Sequence, residues 1–389
     1  MNQPASKLWN TRFIFILLTQ FLVFMNHIMV LSTFAFYIES LGGTEAIAGL
    51  AATSFSLVAV VCRPFVGWML DNGKRKTLLI IGLFGMALMP MGYLCVSVVW
   101  LAFVCRMIHG ASLALSNTST STIATDIIPR ERFAEGMGYF GTAIALATSC
   151  APALGLFLLE RWGVRVLYFF ATGIILVALV LVLLLKTPKL EVERKPLNWK
   201  GLLDKNAIPA SLILLVFLLT FGALENFMAK FASERGLPSG GVFFAIVAVM
   251  LFVVRATIGK VADRRGEGIF AYTCNAAMFI AFLLLSFVPN TVTFVIAAVL
   301  VGYAFGGLSP ALQTMAVHIA PLDRRGAANS TFLCANDIGL GLGGGIAGVL
   351  ISGLGYAQMF AILSLANIFS VLIYHFWGRK HPSAFSYGK

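Results

Sequence analysis

The chain has 389 residues, of which 59% are hydrophobic and only 11% are Asp, Glu, Lys or Arg. A soluble domain is about 25% charged, and a folded soluble protein cannot hide this much apolar surface, so a cytosolic enzyme or a disordered regulator is excluded. Lys plus Arg number 28 against 16 Asp plus Glu, a formal charge of +12 that would suggest nucleic acid in a soluble protein.

Twelve long apolar runs follow one another: 13–37, 46–69, 77–97, 100–122, 136–158, 165–185, 208–231, 241–261, 270–288, 293–318, 328–352 and 356–377. Most are near the length of about 20 residues with which a helix crosses the hydrocarbon core. None alternates apolar with polar residues, which argues against a membrane β-barrel. The first run is too long for a signal-peptide core and no cleavage signal follows it, so it is read as a retained helix. An even count puts both termini on one side. With that side cytoplasmic, 21 of the 28 basic residues fall in cytoplasmic segments and 4 (Arg161, Arg165, Lys230 and Arg235) outside. That is the positive-inside pattern. The basic excess is therefore topology, not nucleic-acid binding. The expected location is the cytoplasmic membrane, with lipid as the surrounding partner.

The polar residues inside the runs come next, in chain order. Asn26 and His27 lie in the middle of the first run. His27 titrates in a useful range, but a hydrogen-bonded wall residue is an equal reading. Arg63 in the second run and Arg255 in the eighth either snorkel to the cytoplasmic face or line the inner half of a cavity as a basic pair. Arg106 in the fourth run can hold an anionic group of a solute or tune a carboxylate, and His109 stands one turn on. Glu225 in the seventh run reads as an outer gate or as an ion pair with Lys230. Asn336 and Asp337 lie in the middle of the eleventh run. An ionisable side chain there costs about 2.5–3.5 kcal/mol on insertion scales, so function is the default reading. A carboxyl in a low-dielectric cavity can load and unload a proton near neutral pH. Asp337 is the best candidate for that task, the competing reading being a permanent pair with a buried Arg. The six cysteines all lie in apolar runs and read as small buried hydrophobes. No metal-ligand spacing, nucleotide loop or nucleophile–base pair is present, so the chain reads as a non-enzyme without a cofactor, and uphill work would draw on an ion gradient, with protons favoured.

One offset recurs. Arg63, Gly67 and Asp71 match Arg255, Gly259 and Asp263 at a spacing of 192, as do Gly110 and Gly302, Pro129 and Pro321, Arg132 and Arg324, and Gly163 and Gly355. Residues 1–185 and 208–389 thus read as two copies of a six-helix unit. The charged, Pro-containing segment 186–207 joins them as a cytoplasmic linker or a short surface helix. Parallel repeats about an axis along the membrane normal are a transporter architecture, with the solute site expected between the halves.

The loop Gly67-Trp-Met-Leu-Asp71-Asn72-Gly73-Lys74-Arg75-Lys76 resembles the signature of the major facilitator superfamily, with a spacer one residue short and Asn72 where Arg is usual. Gly259 to Gly266, with Asp263 and Arg264, is a second, degenerate copy. Arg106-Met-Ile-His109-Gly110 resembles the family's Arg-x-x-Gln-Gly element. Gly138, Ala147, Ala151, Pro152 and Gly155 resemble its exporter-associated glycine pattern in degraded form. The resemblance covers the whole chain. It implies an all-α membrane protein of twelve transmembrane helices in two pseudo-symmetric six-helix bundles, moving a solute by rocking alternating access, functional as a monomer.

Within the loop, Gly67 permits close helix approach and Gly73 a tight turn. Asp71 either caps a helix start or pairs with Arg130 or Arg132. With Gly259, Asp263 and Arg264 these residues read as a gate, the bland alternative being a solvated basic loop. The resemblance favours proton-coupled export of a small organic solute, with Asp337, Arg106, Glu225 and His27 in coupling and Asn26, His109, Arg63, Arg255 and Asn336 at the solute. Proton-coupled uptake of a small anionic or zwitterionic solute is the competing reading. A sensor or intramembrane enzyme is the third.

Overall fold

A computed structural model describes residues 8–42, 45–186, 196–197, 202–238, 240–266, 268–287, 290–318 and 320–380. Eleven helical stretches, the fifth holding two helices, are formed among the described residues: α1 (Thr11–Ser40), α2 (Glu45–Asp71), α3 (Arg75–Leu94), α4 (Val99–Ile127), α5 (Phe133–Leu184), α6 (Ile208–Glu234), α7 (Gly240–Arg265), α8 (Gly268–Phe287), α9 (Thr291–Val317), α10 (Arg325–Leu354) and α11 (Tyr356–Phe376). A helix satisfies every backbone polar group within itself, which hydrocarbon demands. Ten stretches are long and apolar enough to cross a membrane. Large apolar side chains such as Phe84, Phe169, Leu184, Val249, Phe287 and Val349 are exposed on the helices. In water such exposure would mark a sticky patch; facing lipid it is the expected state.

The fifth and sixth apolar runs are two helices that meet at Gly163 (φ 80, ψ 174), where the backbone leaves helical space; α5 names the stretch that carries both. Gly355, 192 residues on, has φ 85 and ψ 173 and separates α10 from α11. This region of backbone space is open only to glycine. The remaining positive-φ glycines fall close to that spacing, Gly42 and Gly236 lying 194 apart and Gly73 and Gly266 193 apart. Helix packing repeats as well. A Cβ on Gly110 would sit 2.4 Å from the Phe55 carbonyl oxygen, and one on Gly302 would sit 2.8 Å from that of Val247. Both members of each contact are 192 apart, so α2 packs on α4 as α7 packs on α9.

The chain forms two compact units. Unit 1 comprises residues 1–129, 143–203 and 321–330; unit 2 comprises 130–142, 204–320 and 331–389. The ends of α5 and α10 are thus exchanged relative to a simple division into 1–185, 186–207 and 208–389. Helix α5 starts in unit 2 and α10 starts in unit 1. Most of the expected linker lies outside the described residues.

In unit 1, α4 is the polar-cored helix, with Ser116 through Thr122 all buried. Four of its hydroxyls are satisfied locally, Ser112, Ser116, Thr120 and Thr122 donating to the carbonyl four residues back, while Ser121 donates to Asn329 Oδ1 at 2.7 Å. In unit 2, glycines join α10 to α6. A Cβ on Gly339 would lie 2.7 Å from the Leu215 carbonyl oxygen, and one on Gly343 would lie 2.4 Å from that of Leu219. Gly341 and Gly345 meet nothing within 4 Å, whereas a Cβ on Gly344 would come 2.7 Å from Asn226 Nδ2 and one on Gly348 3.4 Å from the Phe227 ring, so four glycines of α10 face α6. Cysteine burial is mixed, a correction to the expectation. Cys274 and Cys334 are buried, Cys62 and Cys105 are half-buried, and Cys95 and Cys150 are exposed.

Candidate functional site

The signature loop of unit 1 builds a clamp around the start of α10. Gly67 lies so close to that segment that a Cβ on it would come 2.8 Å from the Gly326 carbonyl oxygen. Asp71 ends α2, and its carboxylate accepts from the backbone N–H of Gly326 (2.7 Å) and of Ala327 (2.9 Å). Those amides are unpaired within the helix, and the helix dipole favours a negative charge there. Of the two expected partners for Asp71, a helix start is therefore the one found. Arg132 instead forks onto Glu135 at 2.7 Å through both Nε and Nη2, and Arg130 is exposed.

Beside this cap stands a buried charge triad. Asp126, at the end of α4, pairs with the Arg75 guanidinium and, at 3.3 Å, with that of Arg325. Arg75 also donates to the Leu322 carbonyl and Arg325 to that of Thr125. Lys76 donates to the carbonyls of Leu183 (3.0 Å) and Leu185 (2.8 Å), closing the end of α5. Sequence reading missed Asp126 and counted Arg75 and Arg325 as loop charges. The available signal was an acidic residue at the end of a run, three residues before the Pro129–Arg132 segment.

The second constellation of unit 1 surrounds Arg106, which is fully buried. Its guanidinium carbon lies 4.7 Å from the centroid of the Phe34 ring and 4.3 Å from that of Phe55. His27 stacks on Phe55 at 4.9 Å with the planes 10° apart, and His109 meets the same ring edge-on at 5.7 Å. Tyr93 contacts His109 Nδ1 through its hydroxyl at 3.2 Å, and Tyr37 donates to the Tyr93 carbonyl at 2.7 Å. Tyr168 packs on both tyrosine rings at 5.6–5.7 Å. Arg106 has Tyr93 as a polar neighbour, while His27 Nδ1, His109 Nε2 and the Tyr168 hydroxyl have no hydrogen-bond partner. No carboxylate pairs with Arg106 among the described residues. Two cation–π contacts return about 0.5–2 kcal/mol each, whereas desolvating an ion costs several kcal/mol.

The other expected residues are dispersed. Asn26 is fully buried and donates from Nδ2 to the Ala171 carbonyl at 2.8 Å, so it ties α1 to α5 instead of presenting its amide to a solute. Arg63 is 2% exposed and its Nη1 donates to Thr118 Oγ1 at 3.3 Å. Arg255 is 7% exposed, with its guanidinium laid against Gly141, where a Cβ would come 2.7 Å from Nη1. Neither arginine reaches out of its unit by snorkelling, and the two make different contacts. Glu225 is exposed on α6, while the Lys230 side chain lies outside the described ones. On α10, Asn336 Nδ2 donates to Asp337 Oδ1 at 3.3 Å, and both are half-buried. Gly73 turns with φ 83 as expected. Gly259, Asp263 and Arg264 lie on α7, and their side chains are outside the described residues. Of the expected site residues, the structure thus gathers Arg106, His27 and His109 into one cluster.

Long apolar helices in two copies, with charges held inside the protein and apolar side chains turned outward, define a polytopic membrane transporter. The chain belongs to the Major Facilitator Superfamily, which it matches over residues 16–292 and 256–388. It is a multi-pass membrane protein of that type and not an enzyme. It is 23% identical over 364 residues to the staphylopine export protein of Staphylococcus aureus, covering 88% of this chain and 90% of that one. It is likewise 23% identical over 400 residues to the multidrug resistance protein MdtG of Serratia proteamaculans, covering 96% and 95%. Among solved structures, the human organic anion transporter MFSD10 superposes with a TM-score of 0.82 at 16% identity, covering 95% of this chain and 100% of that one.

Proposed function

We propose that the chain exports a small organic solute across the cytoplasmic membrane in exchange for protons, by alternating access. In this reading it works as a monomer in lipid, both termini are cytoplasmic, and an ion gradient takes the place of any cofactor. The observation that carries it is Asp337, a half-buried carboxyl inside an apolar helix with an amide donor on one oxygen. A carboxyl so placed is costly as a mere structural element and suited to carry a proton. The relatives named for export and multidrug resistance favour outward movement. So does the small-residue face of α5, where a Cβ on Gly155 would come 2.8 Å from Met29. The Asp71 cap and the Asp126 triad serve as the gate. Both hold residues 325–327 in unit 1, and α10 continues from there into unit 2 with Asp337 on it.

The test uses purified protein in proteoliposomes with a pH-sensitive dye inside. Solutes found by thermal shift across acidic, zwitterionic and cationic panels are added outside. Antiport alkalinises the lumen as solute enters, and Asp337→Asn abolishes that signal while leaving binding intact. Acidification of the lumen would make the chain a symporter, and no solute-dependent proton movement would remove proton coupling altogether.

A further inference from the structure

The Arg106 cluster is a charge without a counter-charge in a place where the fold needs none. The two copies allow a direct comparison. Gly110 and Gly302 hold α4 and α9 in the same register against their neighbours, so Arg106 corresponds to Ala298 and His109 to Val301. After the matching breaks at Gly163 and Gly355, Tyr168 corresponds to Phe360. Ala298, Val301 and Phe360 are each fully buried. In unit 2 the same positions thus make an ordinary apolar core. In unit 1 they carry a guanidinium, an imidazole and a phenol, all buried and each with unpartnered nitrogen or oxygen.

We propose that Arg106 is the anion-binding residue of a solute subsite in unit 1, and that its ligand is an organic monocarboxylate with a flat, aromatic body. A carboxylate fits the fork of guanidinium N–H donors. One arginine at the cluster, with Arg63 the next cation and committed to Thr118, matches one negative charge rather than a phosphate ester. The Tyr168 hydroxyl and the free imidazole nitrogens of His27 and His109 supply further hydrogen-bonding groups. The rings of Phe34, Phe55 and Tyr93 offer flat apolar walls to the remainder of the solute. This names the solute class of the proposed exporter and rests on that reading only for transport. Binding needs no gradient, so failure of proton coupling and failure of the anion subsite are separately visible.

The full chain in detergent is titrated with benzoate, phenylacetate and 2-naphthoate, with their amides, and with chloride and nitrate, following melting temperature and calorimetric heat. At least one carboxylate is expected to bind saturably and its amide at least tenfold more weakly. Arg106→Gln is expected to weaken that carboxylate at least tenfold, Arg106→Lys less, and Tyr168→Phe several-fold. Competition by chloride or nitrate supports a shared anionic subsite. Because Arg106 has no carboxylate to lose and the desolvation of its buried charge outweighs its ring contacts, unliganded Arg106→Gln should melt no lower than the parent. The proposal is overturned by absence of carboxylate binding, by equal binding of the amides, or by binding of inorganic anions alone. Unchanged carboxylate affinity in Arg106→Gln, or a lower melting temperature in that variant without ligand, overturns it equally.

Discussion

Replacing Asp71 by Ala should free the start of α10 from unit 1. The carboxylate accepts two charge-assisted hydrogen bonds, 2.7 and 2.9 Å long, from Gly326 and Ala327, and it is 8% exposed. Loss of an N-cap costs about 0.5–2 kcal/mol, and a charge in a partly buried helix-terminal position adds up to about 2 kcal/mol. Gly326 and Ala327 are themselves buried, so water does not readily replace the acceptor and the cost belongs at the upper end. We expect about 2–4 kcal/mol for Asp71→Ala, and about half of that for Asp71→Asn, which keeps one acceptor oxygen. At 1.4 kcal/mol per decade, the lower figure corresponds to about 30-fold faster local opening and the upper to roughly 1000-fold. Hydrogen exchange followed by mass spectrometry on peptides covering 322–332 reads this directly. Protection of those amides within twofold of the parent in Asp71→Ala would refute the capping account.

Gly163→Ala and Gly355→Ala should each lower the melting temperature of the purified protein, by a similar amount and about 1–3 kcal/mol in stability, because both positions have φ near +80° and extended ψ. Gly173→Ala is the control, since it is helical with nothing within 4 Å of its added Cβ; a loss there equal to that at Gly163 would remove the backbone explanation. Asp126→Leu should cost about 3–5 kcal/mol, since it strands two guanidinium groups around a side chain only 5% exposed. Phe133→Leu, which removes the ring contact of Phe133 with His318 at 5.0 Å, should cost about 1–2 kcal/mol, the scale of an aromatic pair with some lost area. Equal losses in thermal melts of the two variants would contradict the assignment of a charge clamp to one copy only.

The helices and their duplication were legible because both rest on features that survive as local pattern. Hydrocarbon imposes run length, and a turn that needs positive φ imposes glycine, so Gly163 and Gly355 stand out at one fixed offset. The break at Gly163 was legible as a position, but that no longer loop follows it was not, since a glycine between apolar runs looks the same whether a loop or a second helix follows. Polar contacts over long sequence separations were not legible. Asp71 could be read as a cap, but nothing near it says that the capped helix begins 254 residues later, at Arg325. Asn26 looked like a solute contact because an intramembrane amide invites one; its partner is a carbonyl on α5, which periodicity cannot reveal.

What the duplication adds is a way to separate fold from function within a single chain. Positions where the copies agree, such as Gly110 with Gly302 or Gly163 with Gly355, are those the architecture requires. Positions where they part are free of that requirement. Asp126 and Arg325 correspond by the same offset to His318 and Phe133, whose rings meet at 5.0 Å in unit 2. One contact is thus made with charge in unit 1 and with aromatic rings in unit 2. An ion pair desolvated in the protein is steep in distance and loses its strength once water enters, while a ring contact yields gradually with area. The first suits a clamp that is either shut or released, and the second a bearing that stays closed. Arg106 standing where Ala298 stands is a second such departure. Among the described residues, unit 1 thus holds both the charge clamp and the Arg106 cation, while unit 2 keeps a desolvated guanidinium of its own in Arg255.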